Sequence, residues 1–180
     1  MKKTPLFIQA MGDTMFFLPH LVQTPISLNR KLRVLAAWLK ITFILFLYTP
    51  LARLKRGSVL SFNVNFFDYR TFHLLFRHMF IRNDYYFKAE TDVPLILDCG
   101  ANIGFATMYF KWLYPTGEIH AFEPDPLTFQ LLQKNVLENR FSNVACQCVA
   151  ISNVNGEADF YIVNSRPGWI QMSLLPRHFT

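Results

Sequence analysis

The sequence predicts an α/β fold in which helices alternate with the strands of a parallel sheet. From residue 93 onwards, short apolar segments typical of strands alternate with helical segments, and the connections between them are short. The chain has 180 residues and is 52% hydrophobic, which is enough to bury one core and excludes a disordered protein. We therefore expect one α/β domain, preceded by a helical extension.

The second half of the chain predicts the sheet. Each strand there is a short apolar run, and each helix carries aligned apolar residues and ends near Pro, Gly or Asn. The predicted order is strand 95–98, which we expect to be buried, helix 103–113, strand 118–122, helix 126–138, strand 144–150 and strand 158–163.

The first half predicts a strand between two helices. Residues 59–65 alternate apolar and polar side chains, as a strand does, and Asp68 is placed to cap a helix over residues 69–80. Residues 29–49 predict a longer helix, which Asn29 caps and Pro50 ends.

The apolar stretch 34–52 leaves three alternatives open. It has 19 residues, close to the minimum for a membrane span. The helix can be buried against the rest of the protein, lie in a membrane interface held by its flanking basic residues, or span a membrane. Lys40 near its middle would cost a few kcal/mol in a span.

The charge divides the chain into two parts. Residues 1–58 hold nine Lys and Arg against one acid, Asp13, whereas residues 59–180 are slightly acidic. We therefore expect a basic N-terminal region at 1–58 and a catalytic-type domain at 59–180, and membrane-surface association of residues 29–52 is one alternative for the first of them. No nucleic-acid motif accompanies the charge. The three cysteines have no zinc-ligand spacing and are typical of a reduced, cytoplasmic protein.

The strongest motif is Leu-Asp-Cys-Gly-Ala-Asn-Ile-Gly at residues 97–104. It lies where a predicted strand turns into a helix, and ligands of open α/β sheets bind at the carboxyl ends of strands. Gly100 and Gly104 allow a tight turn and the close approach of a ligand. The next helix points its first N–H groups towards that ligand.

A carboxylate follows the next predicted strand. Glu123 lies 25 positions after Asp98, about one strand–helix–strand step, and is followed by Pro124. An ionised carboxylate accepts hydrogen bonds at both oxygens, which suits the two hydroxyls of a ribose. Glu123 is therefore a candidate ribose ligand.

Two adenosine-containing cofactors compete for this motif. A dinucleotide needs Gly-x-Gly-x-x-Gly for its diphosphate, but here Asn102 takes the second glycine position and Phe105 the third. S-adenosylmethionine has no diphosphate, and Asp98 would suit its ammonium group. The pattern therefore favours S-adenosylmethionine over a nicotinamide dinucleotide.

Several motifs follow one another in order: residues 98–104, residues 122–126, Asn143-Val144, residues 149–152 and residues 156–161. Together they resemble the FkbM family of methyltransferases over about residues 60–180. The resemblance implies the Rossmann-like sheet of a class I S-adenosylmethionine-dependent enzyme, with methylation of a sugar or natural-product hydroxyl. It also implies that Ala150 and Ile151 lie near the adenine. The cofactor-binding residues that we expect are Asp98, Gly100, Ala101, Asn102, Gly104, Glu123, Pro124, Ala150 and Ile151.

The chain departs from the family at its C-terminal end. We count about four core strands up to residue 163, where such a sheet has seven, so the sheet is expected to be truncated. The acceptor side is expected to be missing, and no catalytic residue can be named. The alternatives are a catalytically inactive module that acts in membrane or protein interaction, a homo-oligomer, and a chain completed by a missing C-terminal half.

Overall fold

The computed structural model describes residues 18–47 and 55–153, together with residues 12, 16, 155–157 and 159. The chain divides into two compact units, Met1–Lys88 and Ala89–Thr180. The boundary that the sequence predicts between residues 58 and 59 lies where the net charge changes, whereas the compact units are defined by contacts within the fold. The boundary between residues 58 and 59 therefore stays a prediction about function.

The described part of the first unit contains helices and a hairpin. Residues 18–23 are helical. They are followed by helix α1 (Leu28–Leu47), strand β1 (Arg56–Val59), strand β2 (Phe62–Asn65), helix α2 (Tyr69–Phe76) and a π-helical turn (Arg77–Ile81). β1 and β2 pair antiparallel, with Val59 opposite Phe62.

The prediction of one strand over residues 59–65 is wrong, because the chain reverses within it. Leu60 and Ser61 form the turn of the hairpin, and Leu60 takes a positive φ of 55°. Such turns favour Gly, Asn or Asp. Leucine gives no turn signal, and the alternation of apolar and polar residues continues across the turn.

Helix α2 begins where the sequence predicts. Oδ1 of Asp68 accepts a hydrogen bond from the backbone N–H of Thr71 at 2.8 Å, and this satisfies one of the helix's first N–H groups. The α-helix ends at Phe76 and the π-helical turn continues to Ile81, so the predicted helix 69–80 is regular over only part of its length.

The core of the first unit is aromatic. The rings of Phe76 and Phe80 stack with centroids 4.8 Å apart, and Trp38 of α1 stacks on Phe76 at 6.2 Å. Trp38 also lies 4.4 Å from the ring of His73, whose Nε2 is 3.3 Å from Oγ1 of Thr42. The aromatic face of α2 is therefore packing surface for α1.

Helix α1 is buried on one face only. Val34, Trp38, Ile41 and Leu45 are buried, whereas Leu32 on the other face is 57% exposed. In the described part of the chain, no helix combines the length and the apolarity that crossing a membrane requires. Residues 48–52 of the predicted apolar stretch lie outside the described residues.

The second unit confirms the predicted parallel α/β fold. Its elements are strand β3 (Leu95–Cys99), helix α3 (Phe105–Leu113), strand β4 (Glu118–Phe122), helix α4 (Pro126–Glu138) and strand β5 (Val144–Gln147). The strands lie in the order β3-β4-β5, and both pairs are parallel. The carboxyl ends of all three strands therefore meet at one edge.

Only one face of this sheet is covered by the described residues. Ile119 and Ala121 of β4 are fully buried, whereas Leu95 and Leu97 of β3 are 65% and 62% exposed. Successive side chains of a strand point to opposite faces, so the two leucines share the uncovered face. The expectation that β3 is a buried strand is therefore correct for Ile96 and Asp98 and wrong for these leucines.

β5 is shorter than the predicted strand 144–150. The backbone N–H of Glu123 donates to the carbonyl oxygen of Gln147 at 3.1 Å, and Pro124 follows at once. The next N–H on the side that faces β5 is that of Asp125, and it donates to Oε1 of Glu123 at 3.0 Å, so the ladder between the strands does not continue. The predicted strand 158–163 lies outside the described residues except for Asp159, which is not in a strand.

Candidate functional site

The loop between β3 and α3 holds the glycine motif and is tied to the end of β4. The backbone N–H groups of Gly100 and Ala101 both donate to the carbonyl oxygen of Phe122, each at 2.9 Å. Gly100, Asn102 and Gly104 all take positive φ angles, of 87°, 51° and 83°. The loop therefore needs residues that tolerate the left-handed region, which Gly and Asn do.

The two glycines have different surroundings. A Cβ on Gly100 would meet nothing within 4 Å, so this backbone borders open space. A Cβ on Gly104 would lie 2.7 Å from Cδ1 of Leu132, a fully buried residue of α4. The sequence predicts that both glycines admit a ligand. At Gly104 the space that a Cβ would take is filled by the packing of the loop against α4, whereas at Gly100 it is open, and ligand contact at both glycines stays a prediction.

Asp98 is the last residue but one of β3, just before the loop. Its side chain is buried, and Oδ2 accepts a hydrogen bond from the hydroxyl of Thr107 at 2.7 Å. Burial raises the pKa of this carboxyl, while its hydrogen bonds with Thr107 lower it. Sequence reasoning missed Thr107, and no pattern in the chain pairs it with Asp98.

Glu123 connects the end of β4 to the glycine loop. Its Oε2 accepts a hydrogen bond from the backbone N–H of Asn102 at 2.9 Å, and its Oε1 accepts one from Asp125 at 3.0 Å. The residue is only 5% exposed. Burial raises the pKa of Glu123, the backbone hydrogen bonds lower it, and the charges of Asp125 and Asp98 raise it further. Since each carboxylate oxygen has two acceptor positions, one remains on each for a ligand hydroxyl.

Asp125 was not among the predicted site residues, although it lies beside Glu123. It caps α4, since Oδ2 accepts from the backbone N–H of Thr128 at 3.1 Å and from the Thr128 hydroxyl. The signal was present in the sequence, because Asp125 followed by Pro126 is a typical helix start. Its charge makes this end of the sheet more acidic.

The segment after β5 borders the same edge of the sheet. The thiol of Cys148 donates to the carbonyl oxygen of Pro124 at 3.8 Å, which brings the predicted residue Pro124 next to this segment. Ala150 and Ile151 follow two and three residues later and are exposed. The structure therefore places them in the segment after β5, with exposed side chains, and their contact with the adenine stays a prediction.

The edge can hold a cation and a diol. Asp98, Glu123 and Asp125 are all buried, with exposures of 6%, 5% and 4%, and they lie at the carboxyl ends of two adjacent strands. Among the residues that the structure describes, no ion pair joins these carboxylates to Lys, Arg or His. Buried like charges favour a positively charged ligand, and the free acceptor positions suit hydroxyl groups.

Comparison with known proteins finds matches to part of this chain. Residues 98–174 match the family model of the methyltransferase FkbM domain. The chain is 41% identical over 73 residues to methyltransferase 1 of Beauveria bassiana, an alignment that covers 40% of this chain and 29% of that protein. It is 36% identical over 62 residues to the 31-O-demethyl-FK506 methyltransferase FkbM of Streptomyces tacrolimicus, covering 34% and 24%.

Among solved structures, coclaurine N-methyltransferase bound to N-methylheliamine and SAH is similar with 14% identity and a TM-score of 0.36, covering 86% of this chain and 41% of that one. The alignments with the two curated relatives span 29% and 24% of their lengths. The resemblance that the motifs predict is confirmed: residues 98–174 carry sequence of the FkbM methyltransferase domain.

Proposed function

We propose that this chain is the S-adenosylmethionine-binding portion of a methyltransferase. The observation that carries the proposal is the hydrogen bond of 2.9 Å between the backbone N–H of Asn102 and Oε2 of Glu123. It joins the glycine loop after β3 to the carboxylate after β4, so both form one acidic cradle at the edge where parallel sheets bind ligands. The match of residues 98–174 to the FkbM domain supports the same assignment.

Each part of the cradle suits one part of the cofactor. Asp98 is placed to attract the ammonium group of the methionine moiety, and the backbone of Gly100 leaves room for it. The remaining acceptor positions of Glu123 suit the two ribose hydroxyls. The exposed segment with Ala150 and Ile151 would cover the adenine, next to Pro124.

The chemistry proposed is methylation of an oxygen nucleophile. When bound, S-adenosylmethionine supplies a methyl group on a positively charged sulfur. The chain's own residues bind and orient this donor, and such positioning accounts for much of the acceleration of a two-reactant step. A sugar or natural-product hydroxyl is the acceptor that we propose. The name of the Streptomyces relative, a 31-O-demethyl-FK506 methyltransferase, supports an oxygen acceptor.

Calorimetric titration of the full chain tests the cofactor. We expect S-adenosylmethionine to bind and NADH not to bind. Glu123→Gln should weaken the cofactor's affinity by about 1.5 to 3 kcal/mol, or roughly tenfold or more, because an amide replaces a charged acceptor. Glu157→Gln, at an exposed acid of the same unit, is the matched control and should leave the affinity unchanged. Binding of NADH by the folded protein, or equal affinities for both variants, would contradict the assignment.

A second candidate function is a catalytically inactive module that acts by protein or membrane interaction. The exposed leucines Leu95 and Leu97 on the uncovered sheet face favour it, because exposed apolar surface is typical of a partner-binding site. A homo-oligomer would cover that face. Light scattering with the full chain separates these cases. A monomer that binds the cofactor counts against the inactive module.

A further inference from the structure

Helix α1 carries a second apolar face that the first unit does not use. Its inner face is buried around Trp38. Its outer face carries Leu28, Leu32, Leu39 and Phe43, which are 70%, 57%, 56% and 56% exposed. These four residues recur at intervals of four and seven positions, so they form one stripe along the helix. We call them the outer stripe.

Positive charge accompanies the outer stripe. Arg33 and Lys40 are exposed and directly follow Leu32 and Leu39, seven residues apart, so they lie along the same edge of the stripe. Residues 28–47 contain no Asp or Glu, and residues 1–58 hold nine Lys and Arg against Asp13 alone. Apolar side chains bordered by basic ones are typical of helices that lie in the interface of an anionic membrane.

We propose that the outer stripe of α1 binds the surface of an anionic lipid bilayer, with the helix axis parallel to the membrane. The stripe would enter the boundary between headgroups and acyl chains, and Arg33 and Lys40 would contact the negatively charged headgroups. The inner face stays packed on α2 meanwhile, so binding needs no unfolding. A second copy of the chain is a poorer occupant, because joining two outer stripes would bring like charges together.

Vesicle sedimentation with the full chain tests the apolar part of the proposal. The protein should sediment with vesicles of equal parts phosphatidylglycerol and phosphatidylcholine, and much less with phosphatidylcholine alone. The double variant Leu32→Ser with Leu39→Ser should lower the partition coefficient about tenfold or more, because two leucines leave the interface. Leu127→Ser with Leu137→Ser is the matched control, since these leucines of α4 are 50% and 75% exposed. It should bind as the unchanged chain does.

The charge contribution is measured in the same assay. Arg33→Gln with Lys40→Gln should reduce binding to anionic vesicles about fivefold for each charge removed, and added salt should remove most of the difference. Lys134→Gln with Arg140→Gln removes two exposed charges from the second unit and should have little effect. Circular dichroism and urea midpoints should be equal for all variants, since every substituted side chain is at the surface.

Three results would overturn the proposal. The first is no binding to anionic vesicles by the folded chain. The second is equal loss of binding in the α1 variants and their α4 controls. The third is a dimer, seen by light scattering, that dissociates when Leu32 and Leu39 are replaced and that binds no vesicles. Cofactor titration of the same samples is independent of all three results. If the membrane proposal is overturned, the proposed function is therefore unaffected.

Discussion

At the scale of single residues, the cradle places negative charge where water cannot reach it well. Asp98 and Glu123 are both buried, and burial raises the pKa of each carboxyl. Keeping them ionised costs free energy, and hydrogen bonds from Thr107, Asn102 and Asp125 offset part of that cost. A cationic ligand would offset more of it, so we expect cofactor binding to stabilise the second unit.

Thr107 is the residue whose replacement tests this balance most simply. Thr107→Val keeps the shape of the side chain but removes the hydroxyl that donates to Asp98 at 2.7 Å. We expect the free energy of unfolding to fall by about 1 to 3 kcal/mol, because a buried acceptor loses a partner. Urea denaturation followed by circular dichroism measures the change. Thr107→Ser keeps the hydroxyl and should lose clearly less, and equal losses would show that the hydrogen bond contributes nothing.

At the scale of secondary-structure elements, the two glycines of the motif have different roles. Gly104 allows the loop to pack against α4, and Gly100 leaves space for a ligand. Gly104→Ala forces a Cβ to within 2.7 Å of Leu132 at a positive φ, whereas Gly100→Ala meets only the unfavourable φ. We expect Gly100→Ala to cost about 1 to 2 kcal/mol. Gly104→Ala should cost about 1 to 3 kcal/mol more, because it overpacks the contact with α4.

Thermal unfolding and cofactor titration distinguish the two glycine variants. Gly104→Ala should lower the melting temperature more than Gly100→Ala does. Among molecules that remain folded, Gly100→Ala should weaken cofactor affinity, since its new methyl group occupies the open side of the loop. A larger stability loss at Gly100 than at Gly104 would contradict this division.

The sequence predicts the elements whose signals are local. Asp68 caps α2 as expected, and the strand–helix alternation gives the parallel sheet and the position of the motif at its edge. The errors arise where contacts between residues distant in the sequence determine the local structure. β5 stops at Gln147, where the next N–H facing it, that of Asp125, donates to the side chain of Glu123, and the hairpin turns at Leu60 without a turn residue. The partner of Asp98, Thr107, depends on how α3 packs under the loop.

At the scale of the whole molecule, the two buried carboxylates predict a pH dependence of stability. The folded pKa values of Asp98 and Glu123 lie above their ordinary values of 3.8 and 4.5. Their contribution to stability is therefore fully present below those ordinary values and is lost as the pH rises through the folded pKa values. We therefore expect this contribution to increase as the pH falls from the folded pKa values towards the ordinary ones.

A variant isolates this contribution from the other titrating groups. The double variant Asp98→Asn with Glu123→Gln has no carboxyl at either position, so its free energy of unfolding should lack the acid-side increase. The measurement is urea unfolding at several pH values, with the difference between the two proteins plotted against pH. A difference that stays constant, or that grows smaller as the pH falls, would show that these carboxyls do not carry the dependence.

Because a methyl group at Gly104 would collide with Leu132, the architecture of the domain alone requires glycine there. A duplicated copy that had lost all enzymatic activity would still be selected to retain it, provided that it had to fold. Gly100 faces open space, and an inactive descendant could replace it with asparagine at a smaller cost than Gly104. Related chains in which Gly100 is replaced while Gly104 is kept are therefore expected to be those that no longer bind the ligand.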